Sequence, residues 1–167
     1  PNILASCSDD CTIRVWDITS GSTQSTLGHS NIVASVAFNP SDPNILASGS
    51  WDHTIRAWDI TSGSTKSTLR VDSGVTCVTY NGTGDMLAAG CSNGNILLID
   101  TATSRVRECP LRGHSDCVRD IAFSPSDPNI LASCSDDCTI RVWDITTGST
   151  QSTLGHSRDN PECICFR

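Results

Sequence analysis

The sequence is poor in the residues that build exposed helices. It has one Lys, one Met and two Glu in 167 residues, with charged residues at 17% and aromatics at 5%. Ser, Thr, Asp, Ile and Val carry the chain instead, a bias toward strands and tight turns and away from a helical bundle. Apolar runs never exceed a few residues, which excludes a spanning helix. There is no charged segment leading into an apolar one, so no secretory signal is visible and an intracellular place, cytoplasmic or nuclear, is expected. Basic residues number 11 against 18 acidic ones, for a net charge of −7, and they are scattered singly. Without a basic cluster, neither nucleic acid nor a membrane is an expected partner, and a partner steered by charge would be basic. A Gly-rich phosphate loop and any Cys-x-x-Cys pair are also missing, and with them the usual signs of a cofactor or a metal.

What the sequence does have is a repeat. Residues 1–30 recur at 128–157 with one difference, Ser20 against Thr147. A looser copy fills 43–69, and the most divergent one runs from Asp85 to Leu111. The first-strand leucine is Leu4, Leu46, Leu87 and Leu131, in steps of 42, 41 and 44. The pair closing the next strand keeps the same steps: Trp16-Asp17, Trp58-Asp59, Ile99-Asp100 and Trp143-Asp144. Gly-His opens repeats at Gly28-His29, Gly113-His114 and Gly155-His156. Val36 and Phe38, then Ile121 and Phe123, alternate as strand faces do. Asn39 to Pro43 and Ser124 to Pro128 read as turns between strands.

Period, Gly-His opening and Trp-Asp close together resemble the WD40 repeat family. The resemblance covers the chain up to the tail that begins at Arg158. It implies an all-β fold, a β-propeller of four WD40 blades, as a closed four-blade ring or a part of a larger propeller. The blades fall at about 1–27, 32–69, 75–111 and 117–154, within a single domain spanning 1–167. The opening at Pro1 lies in mid-strand and reads as a piece of a longer protein. The step from Leu131 through the C-terminus to Leu4 is 40 residues. Residues 162–166 could therefore supply the inner strand that the first blade lacks, although Pro161 replaces an inner-strand Val. Two chains pairing into a larger ring compete with that closure.

The resemblance also implies a buried polar tetrad in each blade. By motif position it is His29, Ser48, Asp52 and Trp58, then His114, Ser133, Asp137 and Trp143. Ring closure would bring His156 to Ser6, Asp10 and Trp16. Each member can satisfy another, so the set can be buried without unpaired groups. A Ser-His-Asp hydrolase triad is the tempting alternative, but a nucleophile needs an exposed hydroxyl beside an oxyanion hole. The set reads as structural, and no catalytic residue is assigned. In the third repeat the four positions become Val71, Ala89, Asn93 and Ile99, so the network has gone as a unit.

Ten cysteines raise the question of zinc or disulfides. Cys7-x3-Cys11 and Cys134-x3-Cys138 are duplicates of one pair, and the other repeats have Gly49 and His53, then Gly90 and Gly94, at the same places. Reduced thiols and no metal are the expectation.

Function then rests on the surface. In the family, partner peptides usually dock on the face lined by the hairpin turns and inner-strand starts. The residue before the turn Asp is Asp9, Trp51, Ser92 and Asp136. Trp51 stands out, because its equivalents are polar; it could anchor a basic peptide or simply cover a neighbouring turn. At the inner-strand starts, Thr76 and Arg119 are the further candidates. The expected function is a non-catalytic scaffold for protein–protein contacts. The alternatives are a regulatory part of a larger signalling protein and a structural subunit of a large assembly, for example a ciliary one.

Overall fold

In a computed structural model, residues 2–107, 110–155 and 160–167 are described. They form fifteen strands and no helix. The first sheet holds β1 (Ile3–Cys7), β2 (Thr12–Asp17) and β3 (Ser22–Gly28). The second holds β4 (Val33–Phe38), β5 (Ile45–Ser50), β6 (Thr54–Asp59) and β7 (Ser64–Arg70). The third holds β8 (Val75–Tyr80), β9 (Met86–Cys91), β10 (Ile96–Asp100) and the short β11 (Arg105–Val106). The fourth holds β12 (Val118–Phe123), β13 (Ile130–Ser135), β14 (Thr139–Asp144) and β15 (Ser149–Gly155). Every sheet is an antiparallel meander with strands in chain order, the blade of a propeller.

A bulge between the two innermost strands recurs in the second, third and fourth blades. Val33 pairs with Ser50 and Ser35 with Gly49, leaving Ala34 as the extra residue. Thr76 and Arg119 occupy the same place in the next two blades. A bulge bends the strand and re-aims its side chain, which decides what Thr76 and Arg119 can touch. The aspartate of Trp-Asp has a local task. Asp59 accepts the backbone N–H groups of Thr61 and Ser62 at 2.9 and 3.0 Å, and Asp17 and Asp144 repeat this arrangement. These bonds lower the pKa of Asp17 and Asp59, and at Asp144 the Thr146 hydroxyl leads, joined by the same two N–H groups.

The hairpin turns β1–β2, β5–β6, β9–β10 and β13–β14 each end on a left-handed residue. Gly94 takes this conformation (φ 82°) freely, whereas Cys11, His53 and Cys138 take it with a side chain (φ 70°, 63° and 63°). A side chain there costs about 1–2 kcal/mol, against about 0.4–1 kcal/mol of unfolded-chain entropy that glycine adds. His53→Gly should therefore raise stability by about 0.5–1 kcal/mol in urea unfolding. An unchanged or lower midpoint would show that the turn is not strained.

Three apolar cores separate the four sheets. Ile13, Val15 and Leu27 meet Val33, Leu46 and Trp58 between the first two. Ala47 and Ile55 meet Val75, Val78, Leu87 and Ile99 between the second and third. Ile96, Leu98 and Leu111 meet Val118, Leu131 and Trp143 between the third and fourth. The inner strands β4, β8 and β12 touch in that order, β4 also touches β1, the counterpart of β5, and β12 has no comparable contact with β1. The arrangement is thus an arc of blades with two end faces.

The inner strand expected from residues 162–166 does not form. The first sheet has three strands, and residues 160–167 contain none. Pro161 has no N–H to offer a ladder, and the Ile164 N–H is taken by the Asp120 carboxylate of β12 at 2.9 Å. The tail lies against the fourth blade, not the first.

Candidate functional site: polar tetrads and the hairpin-turn face

In the second blade, β5 supplies Ser48, β6 supplies Trp58, the turn between them supplies Asp52, and the loop after β3 supplies His29. His29 Nδ1 lies 2.8 Å from the Asp52 carboxylate, and its Nε2 lies 2.7 Å from Ser48 Oγ. Trp58 donates its indole N–H to the same Ser48 oxygen at 2.8 Å. With the ring proton on Nδ1, the Ser48 hydroxyl donates to Nε2 and accepts from Trp58, so the chain of bonds is complete. Burial lowers the His29 pKa despite the carboxylate beside it, which keeps the ring neutral. Burial alone would raise the Asp52 pKa. The Thr54 hydroxyl, the Ser30 N–H and His29 outweigh it and hold the carboxyl well below the usual range.

The fourth blade repeats this geometry with His114, Ser133, Asp137 and Trp143, at 2.8, 2.7 and 2.8 Å. The distances resemble those of a hydrolase triad, but Ser48 and Ser133 are wholly buried and each hydroxyl is engaged on both sides. No substrate reaches them. Ser48→Ala strands the His29 and Trp58 nitrogens and should cost about 1–3 kcal/mol. A thermal melt with no loss would refute that accounting.

A fifth member escaped the sequence reading. Thr54 and Thr139 each donate a hydroxyl to the tetrad carboxylate at 2.6 Å. A signal existed: threonine stands two residues after the tetrad Asp at Thr12, Thr54 and Thr139, and Asn95 replaces it where the Asp is lost. In the third blade Val71, Ala89 and Ile99 lie together in an apolar cluster, while Asn93 is exposed. A groove of about 390 Å3 opens between the second and third blades. Ile99 lines it where the other repeats carry an indole.

The first blade holds three of the four tetrad residues. Trp16 donates to Ser6 Oγ at 2.9 Å, and Asp10 binds the Thr12 hydroxyl at 2.6 Å. Ser6 and Asp10 are exposed. The fourth expected member, His156, lies outside the described residues.

The partner-binding candidates divide. Trp51 is 39% exposed, and its ring lies on Gly74 at the start of the next inner strand; a Cβ there would come 2.9 Å from the indole. It both covers a neighbour and faces solvent. Asp9 is exposed and Ser92 is half-buried. Arg119 and Asp136, read separately in the sequence, form a two-pronged ion pair at 2.8 and 2.6 Å, which lowers the Asp136 pKa. Thr76 faces the next blade, with its hydroxyl 2.5 Å from the Val118 carbonyl and 3.0 Å from that of Gly90. Its hydrogen is used between blades.

All nine cysteines among the described residues are free thiols. Burial pushes the Cys91 and Cys134 pKa values up to about 11, which makes these thiols poor nucleophiles. Among the described residues, no three His, Cys, Asp or Glu side chains are grouped to hold a metal ion. Among the described residues, no helix is long and apolar enough to cross a membrane.

Comparison with known proteins agrees with the blade geometry. The WD domain, G-beta repeat family matches residues 1–17, 21–59, 61–100 and 105–144. The chain is 32% identical to nuclear distribution protein PAC1 of Arthroderma benhamiae, over 96% of its own length and 38% of that protein. It is 34% identical to ribosome biogenesis protein ytm1 of Pyrenophora tritici-repentis, over 81% of its length and 30% of that protein. It is 37% identical over 48% of its length to WD repeat and SOCS box-containing protein 1 of Xenopus tropicalis, covering 19% of that protein. The chain thus spans less than two-fifths of each of these relatives. Four matches that together cover most of the chain, the tetrads and the blade topology lead to one conclusion: the chain belongs to the WD40 repeat family.

Proposed function

We propose that this chain is a non-catalytic scaffold that binds partner proteins or peptides on its hairpin-turn face. The observation that carries the reading is Trp51, an indole 39% exposed where the equivalent residues are Asp9, Ser92 and Asp136. A rigid amphipathic ring at a solvated position is the kind of residue that dominates binding energy. The net charge of −7 favours a basic partner segment and faster encounter with it. Arg119 contributes little cationic character, because Asp136 neutralises it. The proposed partners also include a second copy of the chain. Free thiols, together with relatives named for nuclear distribution and ribosome biogenesis, support an intracellular place, cytoplasmic or nuclear. Nucleic acid and membrane are not part of the reading.

An array of Lys/Arg-rich peptides, followed by isothermal titration calorimetry of the best binder, tests this. Binding should weaken roughly thirtyfold in Trp51→Ala and fall with added salt, while circular dichroism keeps the strand signal. If no peptide binds, or if Trp51→Ala binds as the parent does, the reading is wrong.

A further inference from the structure

Among the described residues, each end face of the arc exposes a large apolar side chain, Leu4 at one and Leu154 at the other, and the repeat states what each one fits. The face of the second blade that meets the first consists of Val33, Leu46 and Trp58, packed on Ile13, Val15 and Leu27. Leu46, Ile13 and Val15 are fully buried there, and Leu27 is 3% exposed. Leu4 and Trp16 of the first blade are the repeat equivalents of Leu46 and Trp58, yet Leu4 is 53% exposed. Ile140, Val142 and Leu154 of the last blade are the equivalents of Ile13, Val15 and Leu27, and Leu154 is likewise 53% exposed. Residues 1–30 and 128–157 are nearly identical. The last blade therefore presents the same surface that the first blade uses to cover the second.

The tail adds an independent observation. Between the second and third blades, the Val78 N–H donates to Ser35 Oγ at 3.1 Å. Ser35 pairs with Gly49 in its blade as Asp120 pairs with Cys134, so the two positions correspond. The Ile164 N–H donates to Asp120 at 2.9 Å. Ile164 thus sits against the fourth blade where Val78, on the inner strand of the third, sits against the second. The tail marks the inner-strand position of a following blade, and the first sheet is a blade with that position open.

We propose that the two end faces bind each other between two copies of the chain, head to tail. Leu154, Val142 and Ile140 of one copy cover Leu4 and Trp16 of the other. The tail residues Ile164 and Phe166 lie opposite Ser6 and Leu4, as Val36 and Phe38 lie opposite Ser48 and Leu46. A head-to-tail contact leaves one face of each kind free until the ring closes. Two copies are the smallest such assembly in which no face stays open. The proposal deepens the reading of the chain as a protein-binding module, but it uses neither Trp51 nor the hairpin-turn face, so either can fail alone.

Sedimentation equilibrium on the 167-residue chain tests it. The expected mass is twice 17.7 kDa. Leu4→Asp alone and Leu154→Asp alone should each shift the mass to one copy while circular dichroism keeps the strand signal. Mixing the two variants should restore two-copy particles, because one intact head then meets one intact tail. A single-copy mass at every concentration overturns the proposal, whether or not the chain has closed on itself. Mass that grows without limit, or a mixture that stays at one copy, overturns it as well.

Discussion

Trp143→Ala should lower stability by about 3–5 kcal/mol, while Trp16→Ala, in the same local sequence, should cost about 1 kcal/mol or less. Both tryptophans close the strand TIRVWD, and both donate to a serine, at 2.8 and 2.9 Å. Their surroundings differ. Trp143 has no exposed surface and packs on Leu98, Leu111 and Leu131, with the His114 ring edge-on at 5.9 Å. Its removal leaves a cavity between two blades and takes one donor from buried Ser133. Trp16 is half-buried on an end face, so water fills the space it leaves. Urea unfolding of the two variants, at dilutions where the chain is a single copy, measures the difference directly. Equal losses would mean that the first blade is covered in solution by something the described residues do not show.

That pair also marks the limit of what local sequence encodes. The strand pattern, the turns and the tetrad positions were legible because each depends on residues within one period. The alternation of Val36 and Phe38, the Trp-Asp step and the joint loss of four polar residues at Val71, Ala89, Asn93 and Ile99 all carry their meaning locally. Burial does not work that way. Leu4 and Leu131 share their neighbours in sequence, yet one is 53% exposed and the other fully buried, because a blade face is covered by a different blade. Arg119 and Asp136 illustrate the same gap at the surface. They read as two separate docking residues, because the bulge that turns Arg119 toward the hairpin across 17 positions leaves no mark in the sequence. The tail misled for a related reason. Cys163 to Phe166 has the apolar alternation of an inner strand, but Pro161 and the Asp120 carboxylate decide where its N–H groups go.

The second large effect concerns the tetrad carboxylate. Asp137→Ala should cost about 3–5 kcal/mol, against under about 1 kcal/mol for Asp10→Ala. Asp137 accepts from His114 at 2.8 Å, from the Thr139 hydroxyl at 2.6 Å and backbone at 2.9 Å, and from the Ser115 N–H at 3.1 Å. Its side chain is 7% exposed, so the alanine variant strands several donors where water cannot reach them. Among the described residues, the Asp10 carboxylate accepts from the Thr12 N–H and hydroxyl and lies 4.0 Å from Arg14, and its side chain is 52% exposed. Acid should expose the same asymmetry. Burial would raise the Asp137 pKa, but the Thr139 hydroxyl, His114 and Ser115 bring it down to about 2 from 3.8. A carboxylate bound more weakly to protons in the fold than in the unfolded chain contributes stability above pH 3.8, lost as pH falls toward 2. His114, neutral in the fold because burial lowers its pKa below 6.5, contributes stability that is full above pH 6.5 and declines below it. Unfolding free energy should thus fall in two stages on acidification, first through the histidines and then through the carboxylates. In Asp137→Ala the lower stage should shrink, since the fourth blade then has no tetrad carboxylate to protonate. A variant whose stability between pH 4 and pH 2 falls as steeply as the parent's would remove Asp137 from the role its four hydrogen bonds give it.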